Sequence, residues 1–241
     1  MSNKYYTCPV CGNSKIKSSI FGYYTCPLCD SRFKFTDDKK ETRITDTSEL
    51  YKSAVKSVVE IYNFLDDDEL SGTGIIIDKK GHVLTSAHIV TKIKSTDNVT
   101  NFNDNILIKK DADGNSLETT TVSFDKTVDL ALLKTDKESD GIPVKFSNKP
   151  INVGEHIYVI GNSKGEGLCI VDGIVSDNHR MINTRELFMI SAPVTTGCSG
   201  APVLNQYGEL IGIVTGGREG ASAMNYAIPL NVIKSFLKNT L

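Results

Sequence analysis

From Gly72 onward, short apolar runs alternate with Gly, Asn and Asp punctuation, at 75–77, 83–84, 106–108, 119–124, 130–133, 157–160, 169–171, 187–190, 203–204 and 210–214. Runs this short, bounded by turn formers, match strands rather than helices, so the pattern predicts an all-β body. Ahead of it, Thr47 or Ser48 is placed to cap a short helix through Val55, and Val58 to Phe64 is β-prone. Asp66-Asp67-Asp68-Glu69 reads as an exposed turn and Asp111-Ala112-Asp113-Gly114-Asn115 as a hairpin turn, neither with calcium-ligand spacing. A final helix is predicted near Val232 to Lys238. The body suits two antiparallel β-barrels, over 51–145 and 150–231, with a cleft between them.

The first fifty residues break this pattern. Residues 37–50 are charged and non-periodic, as expected of a linker. Residues 1–36 carry five Lys/Arg against Asp30 alone, a net +4, so the rest of the chain carries −6 of the total −2. A small basic module thus precedes an acidic body, 51–241. No apolar run at the N-terminus could form a signal-peptide core, and no stretch approaches the ~18 apolar residues of a membrane span. These features predict a cytoplasmic protein with no membrane partner.

Cys8-Pro9-Val10-Cys11 and Cys26-Pro27-Leu28-Cys29 form two C-x2-C knuckles separated by 14 residues. Each follows the same Tyr-Tyr-Thr triplet. In a reducing compartment such an array predicts one tetrahedral zinc held by Cys8, Cys11, Cys26 and Cys29, a zinc ribbon. Four thiolates close the coordination sphere, so the zinc is structural, and so small a module depends on it to fold. Seven of the eighteen Phe and Tyr residues lie here. Aromatics interleaved with Lys also suit single-stranded nucleic acid, but the charge is modest and docking of a protein partner is favoured.

The body holds a His…Asp…Ser order: Thr85-Ser86-Ala87-His88, Val128-Asp129-Leu130-Ala131 and Gly197-Cys198-Ser199-Gly200-Ala201-Pro202. A serine hydroxyl needs a base within hydrogen-bond reach and a third group that fixes the tautomer of that base. His88 ends a β-prone run, whereas His82 flanks a turn. Asp129 lies between apolar neighbours, where an unpartnered carboxylate is costly and a histidine partner removes the cost. The glycines around Ser199 suit a tight turn that aims backbone N–H groups at an oxyanion.

These segments, with 71–78, 81–88, 153–162, 173–176 and 225–230, resemble in order the chymotrypsin-fold serine proteases, most closely the HtrA-like branch. The resemblance implies two six-stranded barrels with a C-terminal helix. It also implies a catalytic set of His88, Asp129 and Ser199, and an oxyanion hole from the amides of Gly197 and Ser199. By the same resemblance Pro193, Val214, Thr215 and Gly216 line the specificity pocket, which lacks a carboxylate and favours a small or medium apolar residue before the cut. Two positions depart from the family. Cys198 stands where Asn or Asp is common and is read as a packing residue, with redox modulation as a lesser role. Ala201 replaces a glycine and is expected to tighten the cleft. Asn162-Ser163-Lys164-Gly165 is read as a surface turn rather than a Ser/Lys dyad.

The expected activity is an intracellular serine endopeptidase acting on protein or peptide, with the ribbon recruiting a substrate or regulator and the site latent until a partner orders its loops. The alternative is a protease-fold binding protein whose ribbon contacts nucleic acid or protein.

Overall fold

A computed structural model describes residues 23–25, 27, 32–34, 44, 46–64, 69–93, 100–102, 106–109, 116–136, 141–217, 220 and 223–241. The chain divides into two units, Met1–Thr42 and Arg43–Leu241. In the first, strands β1 (Tyr23–Thr25) and β2 (Arg32–Lys34) pair antiparallel with Tyr24 opposite Phe33. Cys8, Cys11, Cys26 and Cys29 lie outside the described residues.

The second unit opens with helix α1 (Thr47–Ala54). Its cap is Asp46, whose carboxylate accepts from Ser48 N at 2.8 Å, and not Thr47 or Ser48. A capping residue must itself be extended, as Asp46 is at φ −102° and ψ 113°, whereas Thr47 is already helical. A six-stranded closed barrel follows, built from β3 (Val58–Phe64), β4 (Glu69–Ile76), β5 (His82–Thr85), β8 (Ile106–Lys109), β9 (Ser116–Asp125) and β10 (Leu130–Thr135). Strands β6 (Thr91–Ile93) and β7 (Thr100–Phe102) form a separate ribbon. Glu69, expected in a turn, instead opens β4 opposite Phe64, while Asp66–Asp68 and Asp111–Asn115 lie outside the described residues.

The second barrel comprises β11 (His156–Asn162), β12 (Leu168–Ile182), β13 (Arg185–Ile190), β14 (Pro202–Asn205), β15 (Leu210–Gly217) and β16 (Asn225–Pro229). Helix α3 (Leu230–Thr240) closes the chain, burying Leu230, Ile233 and Phe236 along one side. Both expected six-stranded antiparallel barrels and the terminal helix are therefore present.

Three apolar clusters explain the runs in the sequence. Along β11, Ile157 and Val159 enter the interior of the second barrel with Val175, Phe188 and Val203. The alternate residues Tyr158 and Ile160 face the first barrel and meet Val58, Ile75, Leu84 and Leu132, with Leu50 of α1 and Phe236 of α3 in the same cluster. With both faces covered, the strand is apolar without alternation from Ile157 to Ile160. Each fully buried Leu, Ile or Phe here contributes about 1.5–3 kcal/mol. Val59, Ile61, Val83 and Leu133 fill the first barrel. Among the described residues no helix is long and apolar enough to cross a membrane.

Candidate active site

His88 does not end a strand. Ser86 leaves β5 in extended geometry and residues Ala87–Val90 make one helical turn, α2. Ala87, Ile89 and Val90 are buried, so the turn is pinned on three apolar side chains while the His88 side chain stays 46% exposed. Asp129 lies in the turn before β10, with its carboxylate 4% exposed. The two segments are joined through backbone and side chain alike. Ala87 N donates to Asp129 O at 3.1 Å and His88 N to Asp129 Oδ1 at 3.0 Å. His88 Nδ1 lies 3.0 and 2.9 Å from the two carboxylate oxygens. A carboxylate at Nδ1 assigns the proton there and leaves Nε2 as the ring's acceptor.

Burial pushes the Asp129 carboxyl upward. The hydrogen bonds and charge of His88, with the Thr215 hydroxyl that donates to Oδ2, outweigh it and hold the group below the ordinary carboxylate value. Asp129 keeps a left-handed φ of 61°, which costs a non-glycine residue about 1–3 kcal/mol and is sustained by this set of contacts. Arg185 of β13 steadies the preceding turn, donating to Lys126 O at 2.8 Å and to Thr127 O at 3.1 Å, with its guanidinium 4.0 Å from Asp129 Oδ2.

Ser199 is placed by backbone. Thr195 to Cys198 form a turn closed by Cys198 N donating to Thr195 O at 3.0 Å, with Gly197 third at φ 90°, the signature of a type II turn. Thr196 O accepts from Lys164 N at 2.7 Å. In a trans peptide the next N–H points the opposite way, so the Gly197 amide faces away from the Lys164 turn. Neither Gly197 N nor Ser199 N has an acceptor among the described residues.

Glycine is required at both flanks. A Cβ on Gly197 would stand 2.0 Å from Asn162 O, and one on Gly200, at φ 85°, would stand 2.0 Å from Thr73 O. Thr73 of the first barrel donates from N to Ser199 O at 2.9 Å and from Oγ1 to Gly197 O at 2.8 Å. Val214 O accepts from Gly200 N at 2.8 Å and from Ser86 Oγ at 3.2 Å. One carbonyl thus gathers the residue after Ser199 and a residue two before His88. No hydrogen bond joins Ser199 Oγ to His88 among the described residues.

The expected pocket residues separate. Pro193 is exposed, and the Cβ position of Gly216 meets no atom within 4 Å, so both border open space. Val214 is 1% exposed and acts through its carbonyl. Thr215, expected on the pocket wall, turns its hydroxyl to Asp129. Asn225 was missed. It is buried, donates Nδ2 to Ala192 O at 2.7 Å, and sets Oδ1 2.3 Å from the Cβ position of Gly217, spanning the two wall segments. The signal lay in strand register, with Asn225 opposite both Ile190 and Gly217.

The expectation that Ala201 tightens the cleft is corrected. It is fully buried in the second barrel, where the missing side chain of Gly161 leaves room for Ala201 and Cys198 together. Residues Ser163–Gly165 form a 3₁₀ turn, with Ser163 Oγ 2.6 Å from Thr195 Oγ1. His82 is held by Asp78 at 2.6 Å, a turn contact outside the site.

The fold and this arrangement define a class. The trypsin-like peptidase domain family matches residues 72–213, more than half of the chain, and the chain belongs to that family. In sequence it is similar to the serine endoprotease DegS of Haemophilus influenzae, 28% identical over 216 residues that cover 79% of this chain and 60% of that protein. It is also similar to the putative serine protease HhoA of Synechocystis, 30% identical over 179 residues, 70% of this chain and 42% of that protein. Among solved structures it resembles the serine endoprotease from Yersinia pestis, with a TM-score of 0.69 and 26% identity, covering 81% of this chain and 66% of that chain. The chain spans 33% to 60% of the length of the curated relatives it matches.

Proposed function

We propose that the protein is a serine endopeptidase in which Ser199, His88 and Asp129 form the catalytic set. The observation that supports it best is the meeting of a hydrogen-bonded His88–Asp129 pair with two uncommitted amides, at Gly197 and Ser199, around the carbonyl of Val214. In this reading Ser199 Oγ attacks the scissile carbonyl carbon as His88 Nε2 takes its proton. The two amides donate to the developing oxyanion, His88 returns the proton to the leaving amine, and water cleaves the acyl-enzyme. Protein or peptide is the substrate, entering between the wall segments that Asn225 spans.

The N-terminal module is proposed to hold one structural zinc through Cys8, Cys11, Cys26 and Cys29, a donor set that suits this metal and leaves no open position. It would serve to dock a substrate or protein regulator. The cytoplasmic setting belongs to the same proposal.

A second reading, a latent or weakly active binding protein whose ribbon contacts protein or nucleic acid, is favoured by one feature: the missing hydrogen bond between Ser199 and His88. Intact-mass analysis after treatment of the zinc-loaded protein with a fluorophosphonate separates the two. Labelling that persists in Cys198→Ala and vanishes in Ser199→Ala supports the peptidase. An unlabelled wild type supports the binding protein.

A further inference from the structure

Two thiols converge on one residue behind the Ser199 turn. Gly161, near the end of β11, stands directly opposite Cys169 of β12. Directly opposed residues of an antiparallel pair project to the same face, with Cβ positions roughly 4.5–5.5 Å apart. On that face the Cβ position of Gly161 lies 3.1 Å from Cys198 Sγ, and Cys169 Sγ lies 3.6 Å from Gly161 O. The two sulfurs therefore share one side of the sheet, separated mainly by the side chain that Gly161 lacks. Both are free thiols, Cys169 exposed at the surface and Cys198 buried.

We propose that Cys169 and Cys198 form a reversible disulfide in response to hydroperoxide, and that closing it disables the turn that presents Ser199. The exposed Cys169 reacts first. Its thiolate attacks one peroxide oxygen, the O–O bond breaks, sulfur is oxidised to the sulfenic acid, and the departing hydroxide takes a proton to become water. The Cys198 sulfur then attacks the sulfenic sulfur. The S–S bond forms, the S–OH bond breaks, and the Cys198 proton leaves with that hydroxide as a second water. Two thiols are oxidised and one peroxide is reduced; a small dithiol reverses the bond by exchange. Burial pushes the Cys198 thiol up, which leaves the first reaction with peroxide to the exposed Cys169.

The consequence follows from position. A disulfide fixes Cβ atoms about 3.5–4.5 Å apart, so closing it across the gap at Gly161 draws on Cys198. It sits between Gly197 and Ser199, and its own N–H closes the Thr195–Cys198 turn. Drawing it aside opens that turn and rotates both uncommitted amides. The effect on activity rests on the peptidase reading above, whereas the bond itself does not.

The test uses the full zinc-loaded chain. After brief treatment with one equivalent of hydrogen peroxide, free thiols are alkylated and the protein is digested without reductant, so that linked peptides identify each pair despite the four N-terminal cysteines. Fluorophosphonate labelling is followed in parallel. The expected result is a Cys169–Cys198 linked peptide and a loss of labelling of at least about tenfold, restored by dithiothreitol and absent in Cys169→Ser. No linked peptide, or an equal loss in Cys169→Ser, overturns the proposal. If the reduced protein never labels, the peptidase reading has failed, and the linked peptide alone decides this one.

Discussion

The two halves of the site are built from different materials. One side-chain carboxylate organises the His88–Asp129 half, buried against a ring, a backbone amide and a hydroxyl. Backbone holds the Ser199 half, in a type II turn kept open by two glycines and tied to Thr73 and Val214. The first half responds to protonation and to loss of single polar atoms. The second responds to added volume and to anything that moves the chain. A substitution that is mild in one half is therefore severe in the other.

Asp129→Asn should have the largest effect that leaves the barrels intact. The amide has nearly the volume of the carboxylate but presents an N–H and no charge, so it no longer fixes the Nδ1–H tautomer of His88. A fall in kcat/KM of roughly 10⁴-fold is expected, with a modestly lowered thermal transition at neutral pH, where the carboxylate contributes stability. A variant within tenfold of wild type would mean that the pair does not serve as the base. Gly197→Ala challenges the other half by addition. Its methyl would meet Asn162 O at 2.0 Å on a left-handed backbone, so the turn must rotate and one amide is lost. The expected fall is about 10²–10³-fold, in kcat rather than KM. Near-wild-type turnover would show that this amide does not serve the oxyanion.

Much of this was legible in the chain. The apolar runs marked both barrels because strands such as β11 are covered on both faces, and the order of His88, Asp129 and Ser199 survives any error in element boundaries. What escaped depends on contacts distant in sequence. His88 was expected at a strand end, because the apolar run through Ile89 and Val90 reads the same whether those residues continue a sheet or anchor a helical turn. The contact of the Thr215 hydroxyl with Asp129 escaped because the pairing of β15 with β16 shifts register between Val214 and Gly216, at Thr215 itself. Ala201 was assigned to the cleft because its actual partner, the vacant side of Gly161, lies forty residues upstream. Asn225 opens a segment that resembles the family, but nothing local marks its task. Its task is to bridge Ala192 and Gly217, which only the closed barrel brings together.

Thr215→Val is the finest cut between the halves. It keeps the shape of the side chain and removes one donor from a buried carboxylate. Hydrogen bonds to charged groups contribute about 1.5–3 kcal/mol, and part of that reaches the transition state, so a loss near tenfold in kcat/KM is expected. A merely structural role would give the same loss at every pH. A positioning role through Asp129 would not. The Asp129 carboxyl is held below its ordinary value of about 3.9, so it contributes stability that is full above that value and is lost as pH falls through the lower folded value. Without the Thr215 hydroxyl, burial is opposed by fewer donors and the folded value rises. The acid limb of unfolding should therefore move to higher pH in Thr215→Val, while Thr215→Ser, which keeps the donor, should leave it in place. Identical acid limbs in the valine and serine variants would place Thr215 outside the His88–Asp129 network and leave that half to the ring and backbone alone.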